Sequence, residues 1–352
     1  MFTIKEHNVI GLDIGDFTLR LVCIEKYGKK FSVVSQGELP LPQGCINDGE
    51  IQKPDQLTHA IQQLVSSSNG KKIRTDKVIS VLPDTKTFIK LLKIESESIE
   101  KLPEHLIQEM TRHIPYSMDE IYFDWQMSGE FQKNAKNDVL AGAAPIQIVD
   151  SYMGVIKSAG LLPIALEIEA APLARSLFSL HRQNNSSARI IIDFGATRTS
   201  LIVYDQNTIQ FCMSLPVSGN DITRKISEKL DLDLKKAEQA KILCGLDKKK
   251  CKGILKTILM GNVSILMRKV EEAIFFYEEQ NGKTGIIKEI LLCGGGAYLM
   301  DLDTILYEKF HIPVKLGDPM TNISKIGNSI RLDKNNILSY ATAIGLALRG
   351  SE

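Results

Sequence analysis

Residues 9–22, VIGLDIGDFTLRLV, and residues 189–203, RIIIDFGATRTSLIV, share one pattern: an apolar strand, Asp-x-Gly, a hydroxyl-bearing turn and a second apolar strand. The aspartates, Asp13 and Asp193, stand 180 positions apart, and similar element order follows each copy. A two-copy repeat of this length cannot stack into a solenoid, so it predicts a duplicated half-fold. At 352 residues the chain also exceeds the roughly 250–300 residues at which a single core stops growing. Two lobes are expected.

In the first half, residues 8–24 and 31–36 read as strands separated by the turn KYGKK. Residues 55–67 place Leu57, Ile61 and Leu64 at helical spacing behind Asp55 as the expected cap, and KVISVLP reads as a buried strand. Between residues 86 and 165 the order becomes strand, helix, strand, polar turn (QKNAKND), strand, helix, strand. That order is a split βαβ pattern and predicts a small α+β module inserted into the first lobe.

The helix APLARSLFSLHR and the polar linker QNNSSA lead to the second copy. There, strands are expected over 189–195, 199–205 and 208–217, then a helix over 219–230 capped near Asn220 or Asp221. Helical stretches over 233–243, 253–258 and 262–280, the strand EILLCGGG and a final small, apolar helix, LSYATAIGLALR, complete the chain. The expected fold class is α/β: two lobes, each a mixed sheet flanked by helices, plus the inserted α+β subdomain. The first lobe takes 1–85 and 166–188, the insert 86–165, and the second lobe 189–352 with a capping part at about 225–285.

The repeated turns carry chemistry. Gly15 and Gly195 let backbone N–H groups approach an anion. Asp13 and Asp193, at strand ends, suit a hydrated Mg²⁺, which takes one or two carboxylates plus phosphates. Thr18, Thr197 and Thr199 carry hydroxyls to donate to phosphate. Two such turns facing each other across a cleft would clamp one polyphosphate. Gly294, Gly295 and Gly296 form a third glycine site after an apolar strand, and Glu238 and Lys241 share one helix face. One Asp-x-Gly turn alone equally describes an ordinary hairpin, and Glu238 with Lys241 equally describes a solvated pair. Neither a P-loop nor a dinucleotide fingerprint occurs.

On these motifs the sequence resembles the actin-like ATPase superfamily, and within it the PilM family of type IV pilus assembly proteins. GLDIGDFTLRLV matches the first phosphate motif, IIDFGATRTSLIV the second, PVSGNDITRKISEKL the first connecting motif, LLCGGGAYLMDL the adenosine motif and YATAIGLAL the last connecting helix. The insert, from HIPYSMDEIYFDWQM through VLAGAAPIQIVDSYMGVIKSAGLLPIALEIEAAPLAR, carries the likeness to PilM. The cell-division protein FtsA places a similar insert in the same slot but continues into a linker and an amphipathic helix, whereas this sequence stops at LRGSE.

The resemblance implies ATP or ADP with Mg, held by Asp13, Gly15, Phe17 and Thr18 in the first turn and by Asp193, Gly195, Ala196, Thr197 and Thr199 in the second. It adds Gly219 and Asn220, then Glu238 and Lys241 for adenine and ribose, and Gly294, Gly295, Gly296 and Ala297. Magnesium would be held by Asp13 and Asp193 through water. Glu169, with Glu167 as second choice, falls where the superfamily positions an attacking water, although a carboxylate there equally suits a helix start. The implied partner is a PilN-type inner-membrane protein docked through its N-terminal cytoplasmic peptide; pilus motor ATPases and self-association are further implied contacts. Four positions depart from the pattern: Asp16 in the first turn, Arg20 for a usual Lys, Ser218 for a Gly and Ala297 for a Ser.

The rival readings are an FtsA-like filament-forming protein of cell division and a small-molecule kinase of the same superfamily. With 43 basic and 42 acidic residues the net charge is +1, which argues against nucleic acid as a partner. No run reaches the roughly 20 apolar residues of a membrane span. The six cysteines show no Cys-x-x-Cys spacing, and with no signal-peptide pattern they point to a reducing cytoplasm. In CGLDKKKCK, Cys244 and Cys251 read as structural or surface residues in a basic, solvated turn, and the six histidines form no ligand set.

Overall fold

Strand β1 (Ile10–Ile14) is buried along its whole length, as a strand with neighbours on both sides must be. The computed structural model describes residues 9–180, 187–282, 285–327, 330, 332 and 336–351. It comprises two units: residues 1–183, 208–212 and 318–352 in the first, 184–207 and 213–317 in the second.

In the first unit β1 pairs antiparallel with β2 (Thr18–Tyr27), which turns through Gly28 into β3 (Lys30–Pro40). The expected strand over 8–24 is therefore two strands broken at the Asp-x-Gly turn, and residue 8 lies outside the described residues. The small hairpin β4 (Ile46–Asn47) and β5 (Glu50–Ile51), helix α1 (Pro54–Ser66) and strand β6 (Asn69–Gly70) lead to β7 (Lys77–Leu82), which returns parallel to β1. Helix α1 buries Leu57, Ala60, Ile61 and Leu64, one stripe at helical spacing. Lys53, not Asp55, stands at its N-cap and gives no side-chain cap. Asp55 sits inside the first turn, where the helix dipole favours a carboxylate.

Strand β8 (Phe88–Ser96), helix α2 (Leu102–Met110), β9 (Ile121–Met127) and β10 (Ala135–Pro145) form the inserted module, an antiparallel sheet in the order β8, β10, β9. The module has its own core of Leu92, Ile94, Leu102, Leu106, Met110, Ile121, Val139 and Ala141. Most of the expected turn over 132–138 is strand, because β10 starts at Ala135 opposite Ser96.

The insert also ends earlier than expected. Helix α3 (Ile146–Ser158) buries Tyr152, Val155 and Ile156 among Ile10, Leu12 and Leu57 of the main core, and β11 (Leu162–Ile168) pairs parallel with β7. Residues 146–165 thus belong to the main sheet. Helix α4 (Ala170–Leu177) follows; residues 181–186, with the end of the expected helix and most of the linker, lie outside the described residues.

The second unit repeats the arrangement. Strand β12 (Ala188–Phe194) pairs antiparallel with β13 (Thr199–Asp205) and parallel with the later β15, as β1 does with β2 and β7. The chain runs through β14 (Thr208–Leu215), whose residues 208–212 count with the first unit, then α5 (Gly219–Leu230), α6 (Leu234–Cys244), α7 (Ile254–Asn281), β15 (Ile287–Cys293), α8 (Leu302–Phe310) and β16 (Val314–Leu316), the last parallel to β15.

The stretches expected over 253–258 and 262–280 are one helix of 28 residues, α7. Gly261 interrupts the pattern, but an interior glycine costs only about 1 kcal/mol against Ala, less than the burial of Leu259 and Val263 on either side returns. Helix α5 is capped by Ser218, whose Oγ accepts the Asp221 N–H at 3.2 Å, two residues before the nearer of the expected caps, Asn220. Cys244 and Cys251, expected as structural or surface residues, are joined by a disulfide.

The chain then re-enters the first unit. Strand β17 (Ile323–Ile326) pairs parallel with β3, and α9 (Ala341–Arg349) is buried at every residue from Ala341 to Leu348. Ala343, Ile344, Ala347 and Leu348 pack on Val22, Ile24 and Val33, while Leu346 packs on Ile79 and Val81. A helix apolar on all sides needs cover all round, and β1, β2, β7 and α4 supply it; the second lobe therefore does not extend to 352. Among the described residues no helix is long and apolar enough to cross a membrane.

Candidate nucleotide-binding site

The two Asp-x-Gly turns close with the same backbone bond. Gly15 N–H donates to Thr18 C=O at 3.1 Å, and Gly195 N–H to Arg198 C=O at 2.9 Å. Asp13 lies opposite Arg20 in its hairpin, and Asp193 opposite Ser200 in the other. The sequence repeat is thus a repeat of local geometry: a strand, a tight turn presenting backbone groups, and a returning strand.

In the first turn Phe17 is exposed and its carbonyl accepts Leu41 N–H at 2.7 Å, while Thr18 opens β2 half-buried. Arg20 is inside the site. Its guanidinium lies 4.0 Å from Asp13 and 3.3 Å from Glu38, and 5.8 Å from the centre of the Tyr340 ring. Asp16 turns inward, 6% exposed, and accepts Gly49 N–H at 3.2 Å.

In the second turn Ala196 and Thr197 are exposed. Thr199 is not: it is fully buried and its hydroxyl donates to Val217 C=O at 2.6 Å, which corrects its expected role as a phosphate donor. Gly219 N–H and Asn220 N–H donate to Gly195 C=O at 3.0 Å and Ala196 C=O at 2.9 Å. The start of α5 therefore holds the turn in shape, and these two amides are engaged by it.

Glu238 and Lys241 converge on the same helix start. Lys241 Nζ donates to Gly219 C=O at 3.1 Å and to Thr223 Oγ at 2.9 Å, and pairs with Glu238 at 2.7 Å. Thr223 hydroxyl lies 2.5 Å from that carboxylate. Thr223 was missing from the sequence reading; its signal was a hydroxyl one helical turn after Gly219. A lysine only 14% exposed beside a 43% exposed carboxylate puts the charged pair at the mouth of the cluster.

The triple glycine lies over the end of β12. Gly294 has φ +73°, and a Cβ there would fall 2.4 Å from Asp193 Oδ1; one on Gly296 would fall 2.6 Å from the Phe194 ring. A Cβ on Gly295 would meet open space, and Ala297 is buried. Cys293, opposite Asp193, has its thiol pushed well above the ordinary value by burial and by that carboxylate, so it is inert filling.

Within the second unit, the exposed turn at Ala196 and Thr197, the Lys–Glu–Thr cluster and the open space beside Gly295 suit a nucleotide. They do not form a metal cage, since no set of three or more His, Cys, Asp or Glu able to hold an ion occurs among the described residues. Any Mg²⁺ would have to come with phosphates, each aspartate contributing singly.

Glu169 opens α4 half-buried, and its side chain does not cap the helix. Glu167, the second choice for a water-positioning group, is bound by Arg175 and Arg349, which fixes it as a structural carboxylate.

Curated relatives include the cell division protein FtsA of Borreliella burgdorferi, 20% identical over 80% of this chain and 68% of the relative. FtsA of Neisseria meningitidis is 22% identical over 86% and 76%. Among solved structures, one described as the PilM-PilN type IV pilus biogenesis complex superposes with a TM-score of 0.83 at 22% identity, over 99% of both chains. MreB5 of Spiroplasma citri bound to AMPPNP gives a TM-score of 0.57 at 15% identity, covering 97% of this chain and 95% of that one. The fold is that of the actin-like ATPases. The sequence profile described as type IV pilus assembly protein PilM matches residues 11–351, and the chain belongs to that family.

Proposed function

We propose that the chain is a nucleotide-binding scaffold of type IV pilus assembly, taking ATP or ADP with Mg and docking the N-terminal cytoplasmic peptide of a PilN-type inner-membrane protein. The observation that carries the nucleotide part is the same bond closing both turns, Gly15 to Thr18 in the first unit and Gly195 to Arg198 in the second, where Lys241 holds the helix start that braces the second turn. Family membership and the superposition on a PilM-PilN complex support the partner.

In this reading the turn amides that follow Gly15 and Gly195, whose own N–H groups close the turns, donate to phosphate oxygens, Thr197 adds a hydroxyl, and Glu238 and Lys241 recognise ribose and base. Arg20 offsets the charge of Asp13. With a guanidinium already beside that carboxylate, Asp13, like Asp193, would hold a hydrated Mg²⁺. Magnesium supplies charge neutralisation between the phosphate oxygens when bound. The scaffold is held at the cytoplasmic face of the inner membrane by its partner.

The test is calorimetric titration of a PilN-type N-terminal peptide into the protein with and without Mg-ATP. Saturable binding is expected in at least one state. No peptide binding in either, with nucleotide still bound, would turn the reading toward the filament-forming relatives.

A further inference from the structure

Asp16, the first-turn residue that departs from the family pattern, is joined to a distant helix. Its Oδ1 accepts Gly49 N–H, in the loop between β4 and β5, at 3.2 Å. The carbonyl of the same glycine accepts the Tyr152 hydroxyl of α3 at 3.0 Å, in a buried bond. One residue's two backbone groups are thus held by the turn on one side and by α3 on the other.

Gly49 is fixed from below. Its φ is +77°, and a Cβ there would lie 2.5 Å from Pro83, so the loop has no room for another residue type. Lys86 pairs with Glu50 at 2.8 Å and Asp48 at 3.4 Å, on both sides of the glycine. The loop sits on the segment that follows β7 and cannot slide to absorb a shift of only one partner. Beyond Tyr152, Asp150 of the same helix accepts the Tyr122 hydroxyl of β9 at 3.1 Å, which links α3 to the inserted module.

We propose that Asp16, Gly49 and Tyr152 form a latch that makes the first turn and α3 move together, so that a ligand in the turn is sensed at α3 and at the module it supports. The ligand-sensing arm rests on the nucleotide reading above; the mechanical coupling does not.

Hydrogen–deuterium exchange on the full chain tests it, with Asp16→Ala, Asp16→Asn, Tyr152→Phe and the double variant Asp16→Ala/Tyr152→Phe. Asp16→Ala is expected to speed exchange in α3, and Tyr152→Phe in residues 14–19, each roughly tenfold, the size of one lost buried hydrogen bond. Asp16→Asn, which keeps an acceptor oxygen, should exchange like the parent, and the double variant no faster at either place than the worse single one. Effects confined to each substitution's own segment, or adding in the double variant, overturn the latch. Should Asp16→Ala not fold, Tyr152→Phe read at the turn decides alone.

Mg-ATP added to the parent should slow exchange at both the turn and α3, and in Tyr152→Phe at the turn only. Equal protection of α3 in Tyr152→Phe overturns the latch. No protection of the parent's turn overturns the nucleotide reading and with it the sensing arm, while the coupling is still judged by the variants without ATP.

Discussion

Arg175 donates both terminal nitrogens to the Glu167 carboxylate, at 2.7 and 2.8 Å, and Arg349 of the last helix adds a third donor. Arg175 also donates to Gly345 C=O at 3.0 Å, so one carboxylate on β11 ties together α4 and α9. Removing a partner of a buried pair costs about 3–5 kcal/mol; Arg349 is 43% exposed, which points to the low end. Glu167→Gln should therefore lower the urea-unfolding free energy by about 3 kcal/mol while leaving ATP binding intact. A loss below about 1 kcal/mol would mean the ion pairs are solvent-screened.

The Lys241 ammonium reaches two oxygens of α5 and one carboxylate. Lys241→Ala removes intramolecular charge-assisted contacts of about 1.5–3 kcal/mol, so the melting temperature should fall, and on the nucleotide reading ATP affinity should fall about tenfold as well. Calorimetry on the variant decides; unchanged affinity would take the Lys241 cluster out of the site.

Gly294 and Gly295 separate packing from binding. Gly294→Ala forces a Cβ against Asp193 at a positive φ and should destabilise the second unit. Gly295→Ala enters open space and should leave the melting temperature in place. If it nonetheless weakens ADP binding, that space is ligand space; unaltered binding would show that the ligand lies elsewhere.

Tyr277 donates to Asp205 at 2.6 Å inside the second unit. Burial, then that hydrogen bond and the Asp205 charge, raise its pKa above the ordinary phenol value. Burial also pushes Tyr204 up to about 12, with Arg189 opposing. Above a pH of about 10 the unfolded phenols lose protons that the folded ones keep, so stability is full below that pH and falls as pH rises through it. Urea unfolding at pH 8 and pH 11 should show this decline, smaller in Tyr277→Phe. A flat profile in the parent would mean that the two phenols ionise as freely folded as unfolded.

What was legible in the sequence was local. The Asp-x-Gly turns, the 219–230 helix and the strand over 199–205 emerged as expected because hydrophobic period and turn chemistry act within a few residues. The cap of α5 lies two or three positions before the expected Asn220 or Asp221 because Ser218, Gly219, Asn220 and Asp221 are four successive residues able to cap. The stretch of α3 read as a helix of the insert, and only packing showed that its Tyr152, Val155 and Ile156 bury in the main core instead. Arg20 alternated with apolar neighbours, and only its approach to Asp13 revealed a role.

By itself the sequence determined the duplication, the glycine turns, the inserted strands and the family, since each is written in contiguous residues. Tertiary structure alone decided that the last helix joins the first unit, that Glu167 is a structural carboxylate and that the Thr199 hydroxyl is buried against Val217 C=O. It alone joined Asp16 to Gly49, 33 positions on, and Gly49 to Tyr152, 103 positions further on. The physical reason is that burial and hydrogen-bond satisfaction are conditions on the whole packed unit: a side chain's type fixes what it needs, and only the fold supplies the partner that meets it.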